Sequence, residues 1–431
     1  MRENHERLFR FGLHQLRNRL VPHPAALVVL AAFGGAVAAA QTTPEFQFRF
    51  TAKPGPYSVG LRVIAQYDHT RVFHITSDGA DKSATTEGAR PLQTLVWYPA
   101  DATGAQRMTI GDYAALIRTE TSFDKPIEHG KSQSFVEDFT RGTTALPALA
   151  VRDAAMQATR FPLVIYAPSL DAPATENIEL CEYLASYGFV VLATPSIGAT
   201  ERVMANDVPG ANAEAKDISF LIDYAKGLPD TDMSSVAVIG YSWGGMSALF
   251  AAARDRRIDA LVSLDGSFRY GPAFVQQAGD VHPEQMTIPL LVFSRAEETL
   301  EIWAATQQNK DQFSVAPNVL NERTHGDLLH IRMLAISHIQ FSSLFQRSER
   351  FRREGLQFVP ADYSLEDGDA SYNWMARYTL EFLNAYFKHG LAAMAFLKRT
   401  PAENGVPKHL IAASFRPASG KAVVGGTPSA K

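Results

Sequence analysis

Between Phe161 and Ile336 short apolar runs alternate with segments of helical period. The runs are Leu163–Tyr166, Phe189–Leu192, Val236–Ile239, Ala260–Leu264, Leu290–Phe293 and Leu328–Ile336, and the periodic segments between them predict helices over 177–187, 213–226 and 245–253. A run that is apolar at every position, not at every second one, suits a strand buried on both faces. Strands of that kind separated by helices predict a parallel sheet covered on both sides. Upstream, Phe46–Ala52, Val59–Gln66 and Leu92–Tyr98 are β-rich and partly alternating, and read as leading antiparallel strands. A strong helix over Trp374–Lys388, stopped at Gly390, closes the core. The expected class is α/β, with a mostly parallel central sheet of about eight strands and helices on both faces.

Two stretches fall outside the alternation. Residues 102–160 are far longer than an ordinary connection and mix short amphipathic pieces, such as Ile110–Ile117, with Gly/Pro breaks. Their apolar residues (Tyr113, Leu116, Ile117, Phe135, Phe139, Leu146, Leu149) suit a lid or rim over a site, and a peripheral decoration is the plainer alternative. The tail 416–431, rich in Gly, Ala, Ser and Lys, is expected to be disordered. One catalytic domain, 41–415 with its insertion at 102–160, is expected between the tail and the N-terminal segment.

Residues 1–40 look like an address. Arginines from Arg2 to Arg19 precede the apolar run Ala25–Phe33, and Ala38-Ala39-Ala40 offers a cleavage site before Gln41. A secretory signal peptide is the expectation, and with it an exported, periplasmic or secreted protein. A retained anchor is the alternative, in which case membrane contact would come only through this segment.

Composition narrows the function. A net charge of −4 gives no basic surplus for a phosphate backbone, so nucleic acid is not an expected partner. The single cysteine, Cys181, excludes an intrachain disulfide and a cysteine-based metal site. No metal or cofactor is expected.

The chemistry is carried by Gly240-Tyr241-Ser242-Trp243-Gly244, a G-x-S-x-G pentapeptide followed by Gly245. It lies directly after the apolar run Val236–Ile239 and before a helical stretch, the strand–turn–helix setting that exposes a serine hydroxyl on a tight elbow. Glycines are needed there because side chains would keep strand and helix apart. A serine needs a base, and the base needs an orienting group. Of His282, His325, His330, His338, His389 and His409, His338 is best placed, just beyond the last apolar run, at the carboxyl end of a strand. His330 reads as a strand-face residue, His389 as a helix-terminal one and His325 as a weak loop rival. For the acid, Asp265 follows one strand in Leu264-Asp265-Gly266, and Glu297 follows the next.

Ser242 in Gly-Tyr-Ser-Trp-Gly-Gly, Asp265 in Ser-Leu-Asp-Gly and His338 in Ile-Ser-His-Ile-Gln-Phe-Ser resemble the triad motifs of the plasma-type platelet-activating-factor acetylhydrolases and the related dienelactone-hydrolase-like esterases. Weaker likeness extends to Phe161–Tyr166, Leu184–Val191, Val59-Gly60 and Val96–Ala100, so it spans most of 55–390. The resemblance implies the α/β-hydrolase fold and favours Asp265 over Glu297, because the acid of the acetylhydrolases also ends the strand after the nucleophile. Two departures stand out. Ala167-Pro168-Ser169-Leu170 replaces the family's Ser-His-Gly-Leu-like turn, and the 102–160 insertion has no counterpart. Dienelactone hydrolases proper use a cysteine nucleophile, so Ser242 implies a different activity.

In this fold the oxyanion donors are the amide after the nucleophile, here Trp243, and one from the loop after the third strand, here Leu170 with Ser169 as alternative. Pro168 has no N–H to offer. The expectation is therefore a serine hydrolase acting on a small-molecule carboxylic ester, with short-chain or lipid-like acyl groups, through Ser242, His338 and Asp265. A peptidase or amidase of the same fold, and a lapsed hydrolase that only binds an apolar ligand, are the rivals.

Overall fold

The computed structural model describes residues 47–76, 85–102, 104–123, 140–295 and 318–419. The expected signal peptide, the lid residues Phe135 and Phe139, the alternative acid Glu297 and the tail from residue 420 lie outside these residues.

One sheet organises the described residues. Its strands are β1 (Ser58–Thr76), β2 (Thr85–Asp101), β3 (Ala150–Arg152), β4 (Ala155–Met156), β5 (Phe161–Ala167), β6 (Val190–Ala193), β7 (Thr231–Tyr241), β8 (Ala260–Leu264), β9 (Leu290–Arg295), β10 (Leu328–Met333) and β11 (Ile411–Arg416). They lie in the order β11-β10-β9-β8-β7-β5-β6-β2-β1-β3, with β4 paired to β2. From β6 to β10 every pairing is parallel. β1 and β2 form the expected antiparallel leader.

The two faces carry separate cores, which is why these strands are apolar throughout. In β5, Val164 and Tyr166 enter one core with the helices Ile178–Ser186 and Leu365–Phe387, while Leu163 and Ile165 enter the other with Val208–Ala225 and Trp243–Arg254. The chain order then fixes where a site opens. From β5 the chain steps outward to β6, and β7 returns on the other side of β5. Such a reversal leaves a crevice beyond the carboxyl ends of the two central strands. Ala167-Pro168-Ser169-Leu170 and Ser242 leave β5 and β7 at that crevice.

The structure departs from the sequence expectations at four places. The segment Phe46–Ala52 pairs with no strand where it is described, because the Asn373 side chain accepts the amides of Thr51 and Ala52 at 2.8 and 2.7 Å in a strand's stead. The closing helix starts at Leu365, nine residues before Trp374, behind a capping box in which Ser364 and Asp367 exchange bonds. The tail is ordered further than expected. β11 runs antiparallel to β10, and Ala418 and Ser419 donate to Asp327 and Thr324, so disorder does not begin at residue 416.

The fourth is the 102–160 insertion. Its described parts are built into the domain: β3 extends the sheet beside β1, β4 adds to β2, and Tyr113 of the helix Ile110–Leu116 is buried. Tyr113 accepts from Trp97 Nε1 at 2.8 Å and donates to Glu182 at 2.7 Å. Excising the whole stretch would therefore open the core, and a role in substrate choice has to be tested by point substitution.

Candidate active site

The elbow is dictated by its glycines. Ser242 has a φ of 52° and a ψ of −116° between β7 and the helix Trp243–Arg254. A non-glycine residue there is strained, and the strain persists because everything around it is closely packed. A Cβ on Gly240 would lie 2.3 Å from the Gly244 carbonyl oxygen, one on Gly244 2.2 Å from that of Ala167, and one on Gly245 2.5 Å from the Gly266 Cα. The three glycines thus let the helix start press at once on its own strand, on the loop after β5 and on the loop after β8.

The other two groups sit beyond the ends of β8 and β10. Asp265, at the end of β8 with a φ of 45°, is fully buried, and its amide donates to Phe293 on β9 at 2.9 Å. His338 opens a short 3-10 turn, His338–Phe341, whose capping box joins Ser337 to Gln340. The strand ends earlier than its apolar run implied, at Met333, and this turn carries the histidine back toward the sheet. His338 Nε2 lies 2.9 Å from Ser242 Oγ, and His338 Nδ1 lies 2.6 Å from Asp265 Oδ2. The three side chains form one hydrogen-bonded chain. Tyr241 steadies its centre, donating from its hydroxyl to the His338 carbonyl at 2.8 Å.

Asp265 is held ionised against its burial. Desolvation pushes its pKa up, but Arg295, His338 and Tyr270 outweigh that and keep it below the usual carboxylate range. Tyr270 donates to Oδ1 at 2.5 Å and the Arg295 amide does so at 3.2 Å, while the Arg295 guanidinium stands 3.7 Å from Oδ2. Burial, and then the Asp265 charge, raise the Tyr270 pKa far above its ordinary value, so the phenol stays a donor. Tyr270→Phe should lower kcat about tenfold, the kinetic equivalent of about 1.4 kcal/mol, with KM little changed. An unchanged kcat would mean that His338 and Arg295 suffice to orient the carboxylate.

The loop after β5 is fastened from several sides. The Ser169 amide donates to Glu176 at 2.9 Å and so is already engaged. Among the described residues the Leu170 amide has no intramolecular acceptor, and the Trp243 amide opens a helix, where no intrahelical acceptor exists. Of the two candidates named for the second oxyanion donor, the geometry leaves Leu170 available and Ser169 spent. Arg202 and Glu120 brace the same loop: Arg202 bonds Glu120, Ser196 and Asp171, and the Ala174 amide donates to Glu120 at 3.3 Å. Glu120 belongs to the insertion, so that stretch reaches the loop.

The remaining candidates lie elsewhere. His330 pairs with Ser294 on neighbouring strands at 2.8 Å, with its pKa lowered to about 4, mainly by burial. His282 is near Glu284 and His409 near Asp367, both at exposed positions, and His389 follows a helix end with a φ of 50°. No motif marks Tyr270, Arg295, Glu120 or Glu176 as site residues: Arg295 and Glu120 act through contacts distant in sequence, and Tyr270 and Glu176 through the way their loops fold back. Among the described residues no group of three or more His, Cys, Asp or Glu gathers as a metal site would, and no helix is long and apolar enough to cross a membrane.

Comparison with known proteins bears on the fold and on the family likeness. The dienelactone hydrolase family matches residues 156–310, the span from β4 through Ser242 and Asp265. Among solved structures, a ferulic acid esterase from Streptomyces cinnamoneus superposes with a TM-score of 0.57 at 19% identity, over 84% of this chain and 98% of that one. At that identity the likeness speaks for the fold. No curated protein matches the chain, and neither comparison bears on the likeness to the acetylhydrolases. The chain thus has the α/β-hydrolase fold and is dienelactone-hydrolase-like, carrying that family's sequence pattern over the region that forms the elbow.

Proposed function

We propose that this chain is a serine ester hydrolase working through an acyl-enzyme. The observation that carries the reading is the continuous hydrogen-bond chain from Ser242 Oγ through His338 to Asp265, at 2.9 and 2.6 Å. Ser242 attacks the ester carbonyl while His338 Nε2 takes its proton, and Asp265 fixes the tautomer that leaves Nε2 free. The Trp243 and Leu170 amides face the oxygen that becomes negative. His338 returns the proton to the departing alcohol, and water then repeats the sequence to free the acid. Asp265 serves this scheme because its neighbours keep it charged.

Substrate size is the part the insertion bears on. Ile110, Tyr113 and Ile117 from the insertion, with Ile178 and Leu344, line a small apolar crevice beside Thr175. Thr175 and Leu344 adjoin the loop after β5 and the segment after His338, which supports reading the insertion as a rim, although Ser242, His338 and Asp265 do not line the crevice. The preference for short acyl groups rests on the family resemblance and not on this crevice. The test compares p-nitrophenyl acetate and butyrate with aminoacyl p-nitroanilides. Esters should turn over at least about a hundredfold faster, and a preference for the anilides would make the protein an amidase or peptidase instead.

A further inference from the structure

Beneath the oxyanion loop sits a carboxylate that this mechanism does not use. Glu176 is wholly buried, between the loop after β5 and the start of the helix Ile178–Ser186. Its Oε2 accepts from the Ser169 amide at 2.9 Å and from the Tyr166 hydroxyl at 3.0 Å, and its Oε1 accepts from the Ser169 hydroxyl. The Tyr166 hydroxyl in turn accepts from Asn177 Nδ2 at 2.7 Å, which commits its proton to Glu176. Both donors of Ser169, its amide and its hydroxyl, are thereby committed to Glu176, while its carbonyl accepts from the Ala172 amide at 3.0 Å. The Leu170 N–H lies in the peptide plane of the Ser169 carbonyl, so its direction is set by Ser169 being anchored on one side by Glu176 and on the other by the Ala172 amide.

The same residue pair holds the other side of the site. The Glu176 carbonyl accepts from the Leu344 amide at 3.0 Å and the Ser342 hydroxyl at 3.2 Å. Asn177 accepts from the Ser343 amide at 2.7 Å and the Tyr372 hydroxyl at 2.9 Å, and donates to the Phe341 carbonyl at 3.1 Å. Residues 341–344 directly follow His338. One hub therefore fastens both the oxyanion loop and the segment bearing the base.

We propose that Glu176 is a positioning residue for the reaction: its side chain holds the Leu170 amide in place through Ser169, while its main-chain carbonyl ties the same residue to the segment after His338. This rests on the ester-hydrolase reading and on Leu170 as the donor. An amide fits the site in place of the acid. Burial raises the Glu176 pKa to about 7, and a glutamine oxygen can accept from Ser169 N–H and Tyr166 while its amino group donates to the Ser169 hydroxyl. An apolar side chain of like size can do neither.

The experiment compares wild type with Glu176→Gln and Glu176→Leu, using p-nitrophenyl acetate for kcat and KM and an alkyl trifluoromethyl ketone as a tetrahedral-adduct inhibitor. Glu176→Leu should lower kcat about a hundredfold, as loss of one oxyanion donor does, and weaken the ketone by a similar factor while KM stays within about threefold. Glu176→Gln should remain within about fivefold of wild type on both readouts. Should the leucine variant not fold, Ser169→Gly, which leaves the amide but removes the hydroxyl, should still weaken the ketone more than it raises KM. A folded leucine variant with wild-type kcat and ketone affinity overturns the role of Glu176. A wild-type protein that neither hydrolyses the ester nor binds the ketone overturns the ester-hydrolase reading itself, a result distinct from the first.

Discussion

Ser242→Ala should abolish ester hydrolysis, with kcat falling by at least about 10⁴-fold while the fold is kept. The magnitude follows from the lack of a substitute. Ser242 Oγ is the hydroxyl facing His338 Nε2, and the elbow holds it there with a backbone that no neighbouring serine shares. Stability should move by no more than about 0.5 kcal/mol, because alanine keeps the same Cβ in the same strained conformation and the hydroxyl's one bond is to the base. Circular dichroism and thermal melting check the fold, and pre-steady-state and steady-state ester assays check the rate. Residual turnover above about one per cent of wild type would move the nucleophile elsewhere.

Asp265→Asn carries the second large effect, a drop in kcat of about 10⁴-fold with KM nearly unchanged. The asparagine would present either its carbonyl or its amino group to His338 Nδ1. With the amino group facing the ring, Nδ1 becomes the acceptor and Nε2 keeps its proton, so the base is lost while the shape remains. The same variant tests a pH dependence of stability. The folded-state pKa of Asp265 is depressed below its unfolded value of about 3.9, so the stability it contributes is fully present above that value and is lost as pH falls through the lower folded one. The stability difference between wild type and Asp265→Asn should accordingly be flat from about pH 5 to 8 and narrow only in stronger acid. A difference that already narrows near pH 6 would mean that Arg295 and Tyr270 do not hold the carboxylate as described.

The elbow and the sheet were readable from the chain for a simple reason. Runs such as Leu163–Tyr166 and Val236–Ile239 are apolar at every position because both faces of these strands are covered, and the glycines around Ser242 answer to contacts within a few residues or with the adjoining loops. His338 was placed by its position after a strand, whereas Asp265, which shared such a position with Glu297, was preferred through the family resemblance. The rest depended on how loops fold back on themselves, which no local pattern records. Nothing local in Ser267-Phe268-Arg269-Tyr270 tells that the phenol turns back to Asp265, and nothing in Ala174-Thr175-Glu176-Asn177 tells that the Glu176 acid reaches Ser169 while its carbonyl and Asn177 reach the chain after His338. β11 escaped notice because Ile411–Arg416 mixes polar, small and apolar residues at a sheet edge, where one-sided burial leaves a weak pattern. Phe46–Ala52 erred the other way. Its Phe48 and Phe50 rings pack on Tyr183 and Tyr372, so the apolar character there reflects docking to helices and not strand pairing.

The claim that Ser242 is the nucleophile is tested most directly by incubating the intact protein with a fluorophosphonate, mapping the adduct by peptide mass, and following p-nitrophenyl ester hydrolysis in the same samples. The account predicts a single adduct on Ser242 that grows in step with the loss of activity and is absent from Ser242→Ala. Hydrolysis that persists with Ser242 fully modified, or an inactivating adduct on another residue, would contradict it.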